Sequence, residues 1–244
     1  MDFLKLFRLN LLSNKEICFN NVDEMNTFCK NCIDISIIIK EYYYYKDKRA
    51  FDTLHEWYDL SKLLIQFHNN FKIQYPLDIT KSESPDFIIN YKEDRIGIEH
   101  TTGQTQKHAY ATHKLQISES DSIMEIVPEL AEQGRPKKNE FDYLIKNKNE
   151  ELDQPPAYGN ALEKQWANVM FNCIKNKTKK LNHNYNIQNQ NILLISENTL
   201  PTAKKAIKLN YLKNQYKEFL NQKQFRFYFG DIYIIANKWI EKIT

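Results

Sequence analysis

Two acidic residues near the middle of the sequence are candidates for metal chemistry. Asp86 opens the apolar segment PDFIIN after a proline, and Glu99 lies near the end of the next segment, RIGIEHT. Two carboxylates held close together repel each other unless a cation lies between them. Mg²⁺ is typically held by one or two carboxylates, with water and phosphate oxygens as its other ligands. The pair therefore predicts a metal site that polarises a phosphoryl oxygen and activates water.

The segment from Ser84 to Gly103 has the pattern of two strands joined by a tight turn. Apolar residues alternate with other residues in both arms, which is the period of a β-sheet. Folding the segment about Glu93–Asp94 brings the start of the first arm level with the end of the second. We therefore expect Asp86 to lie close to residues 99–101, and a one-residue change of register does not alter this. The backbone carbonyl of His100 is then a further candidate metal ligand.

Longer patterned segments predict the elements that hold this hairpin in place. Apolar periodicity predicts helices over residues 22–45, 50–70, 161–181 and 201–223. One face of the second helix carries Leu54, Tyr58, Ile65 and His68, and one face of the third carries Trp166, Val169, Met170, Cys173 and Leu181. The continuous apolar run NILLISE, 191–197, predicts a buried strand, and FRFYFGDIYIIA supplies one or two more. This order of elements predicts an α/β fold, a mixed sheet with helices packed on it.

The length of 244 residues fits one large domain with an elaborated end. We expect residues 1–45 to form an N-terminal helical extension packed on the core, and residues 46–244 to form the main domain. Within it, the polar and proline-broken stretch at about 132–160 reads as an insertion.

Bulk composition excludes several classes of protein. An apolar fraction of 42% favours a folded chain, and a net charge of +3 is too small to argue nucleic-acid binding by itself. No signal peptide and no membrane-length apolar run is seen, which predicts a cytoplasmic protein without membrane contact. Cys29 and Cys32 form a C-x-x-C pair that lacks four evident zinc ligands, so we expect buried reduced thiols there.

Pro85-Asp86, a short hairpin and then Glu99-x-Thr101 resemble the motif of the PD-(D/E)XK nuclease superfamily, which has the restriction-endonuclease-like fold. The resemblance covers about residues 50–200. It implies a helix before the hairpin and a helix plus a strand after it. It also implies a Mg²⁺- or Mn²⁺-dependent DNA endonuclease, in which metal-activated water attacks a phosphodiester.

Thr101 stands where this superfamily has the lysine of Glu-x-Lys. The resemblance implies that this position helps to place the attacking water, but a threonine brings no positive charge. Lysine migration to a nearby helix is known in the superfamily. Lys177 lies near the middle of the apolar face of the predicted helix 161–181, where an unpaired ammonium is costly. We expect it to point toward Asp86 and Glu99; the alternative is that its stem reaches solvent from the last turn.

Other charged residues are candidates for supporting roles. The superfamily often adds an acidic residue from the first helix, and Glu56 or Glu83 could provide it. Helical periodicity argues against Glu56, because it lies opposite Leu54 and Tyr58. The candidates for phosphate contacts are Lys175, Lys179 and Lys180.

Two rival functions remain open from the sequence. The first is a catalytically degenerate nuclease-fold protein that binds nucleic acid or a protein partner without cleaving it. The second is an unrelated α/β interaction protein whose interface includes the tyrosine run Tyr42–Tyr45. As partners, DNA is favoured over RNA, and a homodimer is the assembly considered.

Overall fold

The structure is a computed structural model of the full chain. It describes residues 11–12, 16–42, 48–70, 74–91, 93–117, 122–124, 135–138, 145–147, 160–183, 186–197, 204–236 and 239–244.

Contacts within the chain define two compact units. The first comprises Met1–Thr101, Thr178–Ser196 and Phe225–Thr244, and the second comprises Thr102–Lys177 and Glu197–Gln224.

A seven-stranded mixed sheet is the centre of the first unit. Its strands, in spatial order, are β1 (Glu16–Phe19), β2 (Leu77–Lys81), β3 (Phe87–Tyr91), β4 (Asp94–Gly103), β7 (Gln190–Glu197), β8 (Asp231–Ile235) and β9 (Ile240–Lys242). Strands β1 to β4 form an antiparallel meander, β7 and β8 pair in parallel, and β9 returns antiparallel to β8. The expected α/β class is confirmed.

The interior position of β7 in the sheet agrees with its apolar composition. All six residues of its apolar run from Asn191 to Ser196 are buried. A strand in the middle of a sheet with helices packed on it is buried on both faces, so its sequence does not alternate.

Two helices pack on the first unit's sheet, α1 (Val22–Tyr42) and α2 (Lys48–Asn70). The sequence predicted an α2 face built on Leu54, Tyr58, Ile65 and His68. Leu54 is buried, but the deepest apolar positions are Trp57, Leu60, Leu63 and Leu64, so the buried stripe is broader and rotated. Tyr58 and His68 are only half-buried. Trp57 packs edge-on against Phe87 of β3 with ring centroids 4.7 Å apart, which ties α2 to the hairpin.

The second unit contains α3 (Gln106–Ile117), most of α4 (Ala161–Leu181), α5 (Lys205–Asn221) and the pair β5 (Ser122–Met124) and β6 (Ile145–Asn147). Buried Trp166, Val169 and Met170 confirm the apolar face predicted for α4. Its Phe171 meets Phe219 of α5 edge-on.

Some expectations fall outside the described residues. These include the side chains of the tyrosine run Tyr42–Tyr45 and most of the predicted insertion at 132–160, where the sequence missed β6. The division into a 1–45 extension and a 46–244 domain stays a prediction. Among the described helices, none combines the length and apolar character needed to cross a membrane.

Candidate functional site

The β3–β4 hairpin holds the two candidate carboxylates in register. Phe87 pairs with Ile98 and Ile88 pairs with Gly97. Extending this ladder by one residue places Asp86 opposite Glu99. The main-chain N–H of Ser82 in turn donates to the carbonyl of Asp86 at 2.8 Å, so the backbone of Asp86 is directed toward β2. Asp86 and Glu99 therefore form a non-hydrogen-bonded pair, in which Cα atoms approach to about 4.5 Å and side chains lie closer than in the alternate pairs.

A hydrogen bond fixes the Asp86 carboxylate. The backbone N–H of His100 donates to Asp86 Oδ2 at 2.7 Å. This bond confirms the expectation that Asp86 lies beside residues 99–101. The carbonyl of a strand residue points to the same neighbouring strand as its N–H, so we expect the His100 carbonyl to face the Asp86 side as well.

The two carboxylates differ in access to solvent. Asp86 is 17% exposed at the side chain, whereas Glu99 is only 6% exposed. Alternation along β4 puts Ile98 and His100 on the face that meets α2, and puts Glu99 on the other face. Two carboxylates on facing strand positions would repel each other, so a cation between them would be favoured.

Lys81, at the end of β2, brings a positive charge to Asp86. Its Nζ lies 3.9 Å from Asp86 Oδ1 and 2.8 Å from Glu56 Oε2. The same ammonium donates to the main-chain carbonyl of Asp86 at 3.1 Å and lies over the Phe87 ring, 4.6 Å from its centroid. Lys81 thus bridges α2 and the start of β3. Glu56, disfavoured by helical periodicity, is held next to the candidate site by this bridge.

A second polar link joins α2 to the end of β4. His100 Nε2 lies 2.8 Å from Asp59 Oδ2, and both side chains are buried. A carboxylate can only accept, so Nε2 of His100 carries the hydrogen of this bond. His55, one helical turn before Asp59, lies with its Nε2 3.7 Å from the same oxygen and 3.2 Å from Ser196 Oγ on β7.

Asp59 is a carboxylate inside a largely apolar region. Burial alone would raise its pKa, but the hydrogen bond from His100 and the charges of His100 and His55 hold the pKa below its ordinary value. Asp59 is therefore ionised, and its two histidine neighbours stabilise the buried charge. One signal of this is visible in the sequence, a charged residue between the apolar residues Trp57 and Leu60.

The remaining predicted site residues are Thr101 on β4 and lysine residues on α4. Thr101 is half-buried in β4, directly after His100. Lys177 is a half-buried residue of α4 in the second unit, where its charge partly offsets the rise in pKa of the Cys173 thiol. Its expected approach to Asp86 and Glu99 stays a prediction. Lys175 is half-buried, and Lys179 and Lys180 are exposed near the end of α4; their contact with nucleic acid also stays a prediction.

The C-x-x-C cysteines are buried, as expected from the sequence. Cys29 and Cys32 are free thiols on the buried face of α1. Burial raises the pKa of each to about 12, so both stay protonated near neutral pH. Since metals bind the thiolate, this environment does not favour a metal site at these residues.

Asp86 and Glu99 are a small donor set for a metal ion. In the described part of the chain, no group of three or more His, Cys, Asp or Glu side chains is arranged to hold a metal. This argues against a closed cage of protein ligands there. Two carboxylates on facing strand positions, with the His100 carbonyl expected on the same side, suit a hydrated Mg²⁺ ion that takes water and phosphate oxygens as its other ligands.

Comparison with known proteins adds no assignment. No family model matches the chain, and comparison with curated proteins and with solved structures gives no significant match.

Proposed function

We propose that the chain is a metal-dependent phosphodiester hydrolase of the DNA endonuclease type, with Asp86 and Glu99 as its metal-binding carboxylates. The observation that carries this proposal is the hairpin register. It makes Asp86 and Glu99 cross-strand neighbours, with the Asp86 carboxylate held by the N–H of His100 at 2.7 Å.

The surrounding elements support the resemblance to the PD-(D/E)XK superfamily. The resemblance implies a helix before the hairpin, and α2 is present there. It implies a helix and a strand after the hairpin, and α4 and β7 follow, with β7 next to β4 in the sheet. The restriction-endonuclease-like fold is the finer reading of this α/β arrangement that we propose.

Each residue of the site has a role in this proposal. Asp86 and Glu99 would hold Mg²⁺ or Mn²⁺, with the carbonyl of His100 as a third oxygen. When bound, the ion supplies a Lewis acid that polarises the phosphoryl oxygen and lowers the pKa of a bound water. Asp86, the more exposed carboxylate, is the one that a phosphate group can approach from solvent.

Lys81 is the cation that we assign to the place left open by Thr101. Its Nζ is 3.9 Å from Asp86 Oδ1, so it lies at the edge of the carboxylate pair. An ammonium there can offset the charge that develops on the phosphate in the transition state. Lys177, the candidate from helical periodicity, is the alternative source of this charge.

The test is cleavage of supercoiled plasmid in Mn²⁺ or Mg²⁺, with chelator as the metal-free control. We expect Asp86→Asn to lower the rate by about 100-fold or more, because the neutral amide weakens metal binding and transition-state stabilisation. Asp94→Asn is the matched control. It removes a carboxylate from the other end of the same hairpin, where Asp94 is exposed and contacts Asn189.

Equal loss in both variants, or cutting that persists in chelator, would contradict the proposal. The wild-type chain could cut neither plasmid nor single-stranded DNA, yet slow their migration on a gel both with metal and with chelator. The proposal of a degenerate binding protein would then replace that of a nuclease.

A further inference from the structure

One turn of α2 contacts both strands that flank the start of β3. Glu56 binds Lys81 at the end of β2, and Asp59 binds His100 near the end of β4. Both strand residues then contact Asp86: Lys81 through the Asp86 carbonyl at 3.1 Å, and His100 through Asp86 Oδ2 at 2.7 Å. Asp86 is therefore held from two sides by groups that are themselves held by one helix.

The Asp59 link is the more deeply buried of the two. The side chains of Asp59 and His100 are 1% and 6% exposed, against 20% and 19% for Glu56 and Lys81. A buried charge-assisted hydrogen bond is short and directional, and it is little weakened by water or salt. The imidazole of His100 is thereby fixed, and with it the main chain of β4 at the residue whose N–H binds Asp86.

His55 and Ser196 extend the same link to the neighbouring strand. Ser196 on β7 lies 3.2 Å from His55 Nε2, and the rings of His55 and His100 meet edge-on with centroids 5.7 Å apart. The carboxylate of Asp59 thus has an imidazole from its own helix and one from β4. A neutral residue of similar size would fill the space but would leave His100 without its anionic acceptor.

We propose that Asp59 is a positioning residue, which acts through the His100 imidazole to hold the His100 N–H against the Asp86 carboxylate. Asp59 is linked to Asp86 through His100, whose ring binds Asp59 and whose N–H binds Asp86. This inference rests on the proposed function for its catalytic consequence, but its structural part stands without it.

The structural part is tested by amide hydrogen exchange, comparing the His100 amide with the Ile98 amide two residues earlier in β4. In Asp59→Ala we expect the His100 amide to lose protection about fivefold or more beyond any loss at Ile98, since one hydrogen bond of ordinary net strength is released. Asp59→Asn, which keeps an acceptor oxygen of the same shape, should retain more of this protection. Leu60→Ala is the matched control, because it removes a fully buried side chain of the same helix and should affect both amides alike.

The catalytic part is tested in the plasmid assay with Mn²⁺, at a temperature where every variant is folded. We expect Asp59→Ala to lower kcat by about 10- to 100-fold with little change in KM, because the metal-binding carboxylate is misplaced while the nucleic-acid contacts are untouched. Asp59→Asn should recover part of kcat, and Leu60→Ala should keep kcat near the wild-type value.

The two readouts separate the two claims. Selective loss of protection at His100 in a chain that never cuts would sustain the positioning role and overturn the proposed function. Equal loss at His100 and Ile98 in Asp59→Ala, as in Leu60→Ala, would overturn the positioning role whether or not the chain cuts.

Discussion

At the residue scale, the charge near Asp86 is the feature that the sequence did not locate. Helical periodicity pointed to Lys177, because an unpaired ammonium on an apolar helix face is costly to bury. Lys81 gives no such signal, since it ends a short strand next to a polar turn. It reaches Asp86 only because β2 and β3 pair with Lys81 opposite Phe87. Cross-strand neighbours depend on register, which residue type does not encode.

Replacing Lys81 tests which lysine supplies the charge. We expect Lys81→Met to lower the plasmid cleavage rate by about 10- to 100-fold, since an ordered cation beside the site is lost. Lys81→Arg should retain part of the rate because it keeps the charge but not the shape of the ammonium. Lys177→Ala serves as the comparison in the same assay. A rate lost in Lys177→Ala and kept in Lys81→Met would assign the charge to Lys177 instead.

At the element scale, the hairpin was predictable from the sequence. The packing of α2 against it was predictable only in part. Alternation in PDFIIN and RIGIEHT predicts both strands and a pairing that brings Asp86 beside Glu99. The buried face of α2 was harder to predict, because the helix has enough apolar residues to form more than one apolar stripe. Asp59 and His100 were missed for a related reason: their partnership joins residues 41 positions apart in the chain.

Gly97 shows how tightly the hairpin is packed beside the candidate site. A Cβ atom there would lie 3.0 Å from the Pro85 ring, 3.0 Å from Gln188 and 3.1 Å from Asn191. Pro85 directly precedes Asp86. A side chain at this position would be tighter than an ordinary contact with all three neighbours, so they would have to shift by a few tenths of an ångström.

We expect Gly97→Ala to destabilise the fold by about 1–3 kcal/mol through overpacking, and to lower cleavage by displacing Pro85. Gly230→Ala is the matched control, because a Cβ there would meet its nearest neighbour at an ordinary 3.8 Å. Urea unfolding of both variants gives the comparison. A Gly97→Ala protein as stable as Gly230→Ala would show that the register or packing of β4 differs from the one described.

At the scale of the whole molecule, the α/β class followed from the order of patterned segments, whereas the proposed function rests on a few contacts. The first unit brings together all the residues of the candidate site: two strand carboxylates, the Lys81–Glu56 pair and the Asp59–His100 link. The lysines near the end of α4 remain candidates for phosphate contacts. Such contacts would add affinity without sequence readout, and with strong salt dependence.

Mn²⁺ titration by calorimetry measures whether Asp86 and Glu99 together bind one divalent metal ion. Glu99→Gln keeps the shape of the buried side chain and removes its charge, so it reports on the carboxylate itself. Glu93→Gln, at the exposed turn of the same hairpin, controls for the loss of one negative charge.

We expect one Mn²⁺ ion to bind to the wild-type chain and to Glu93→Gln, and binding at least about tenfold weaker in Glu99→Gln. Equal affinities in all three proteins, or no binding by the wild-type chain, would contradict the proposed metal site.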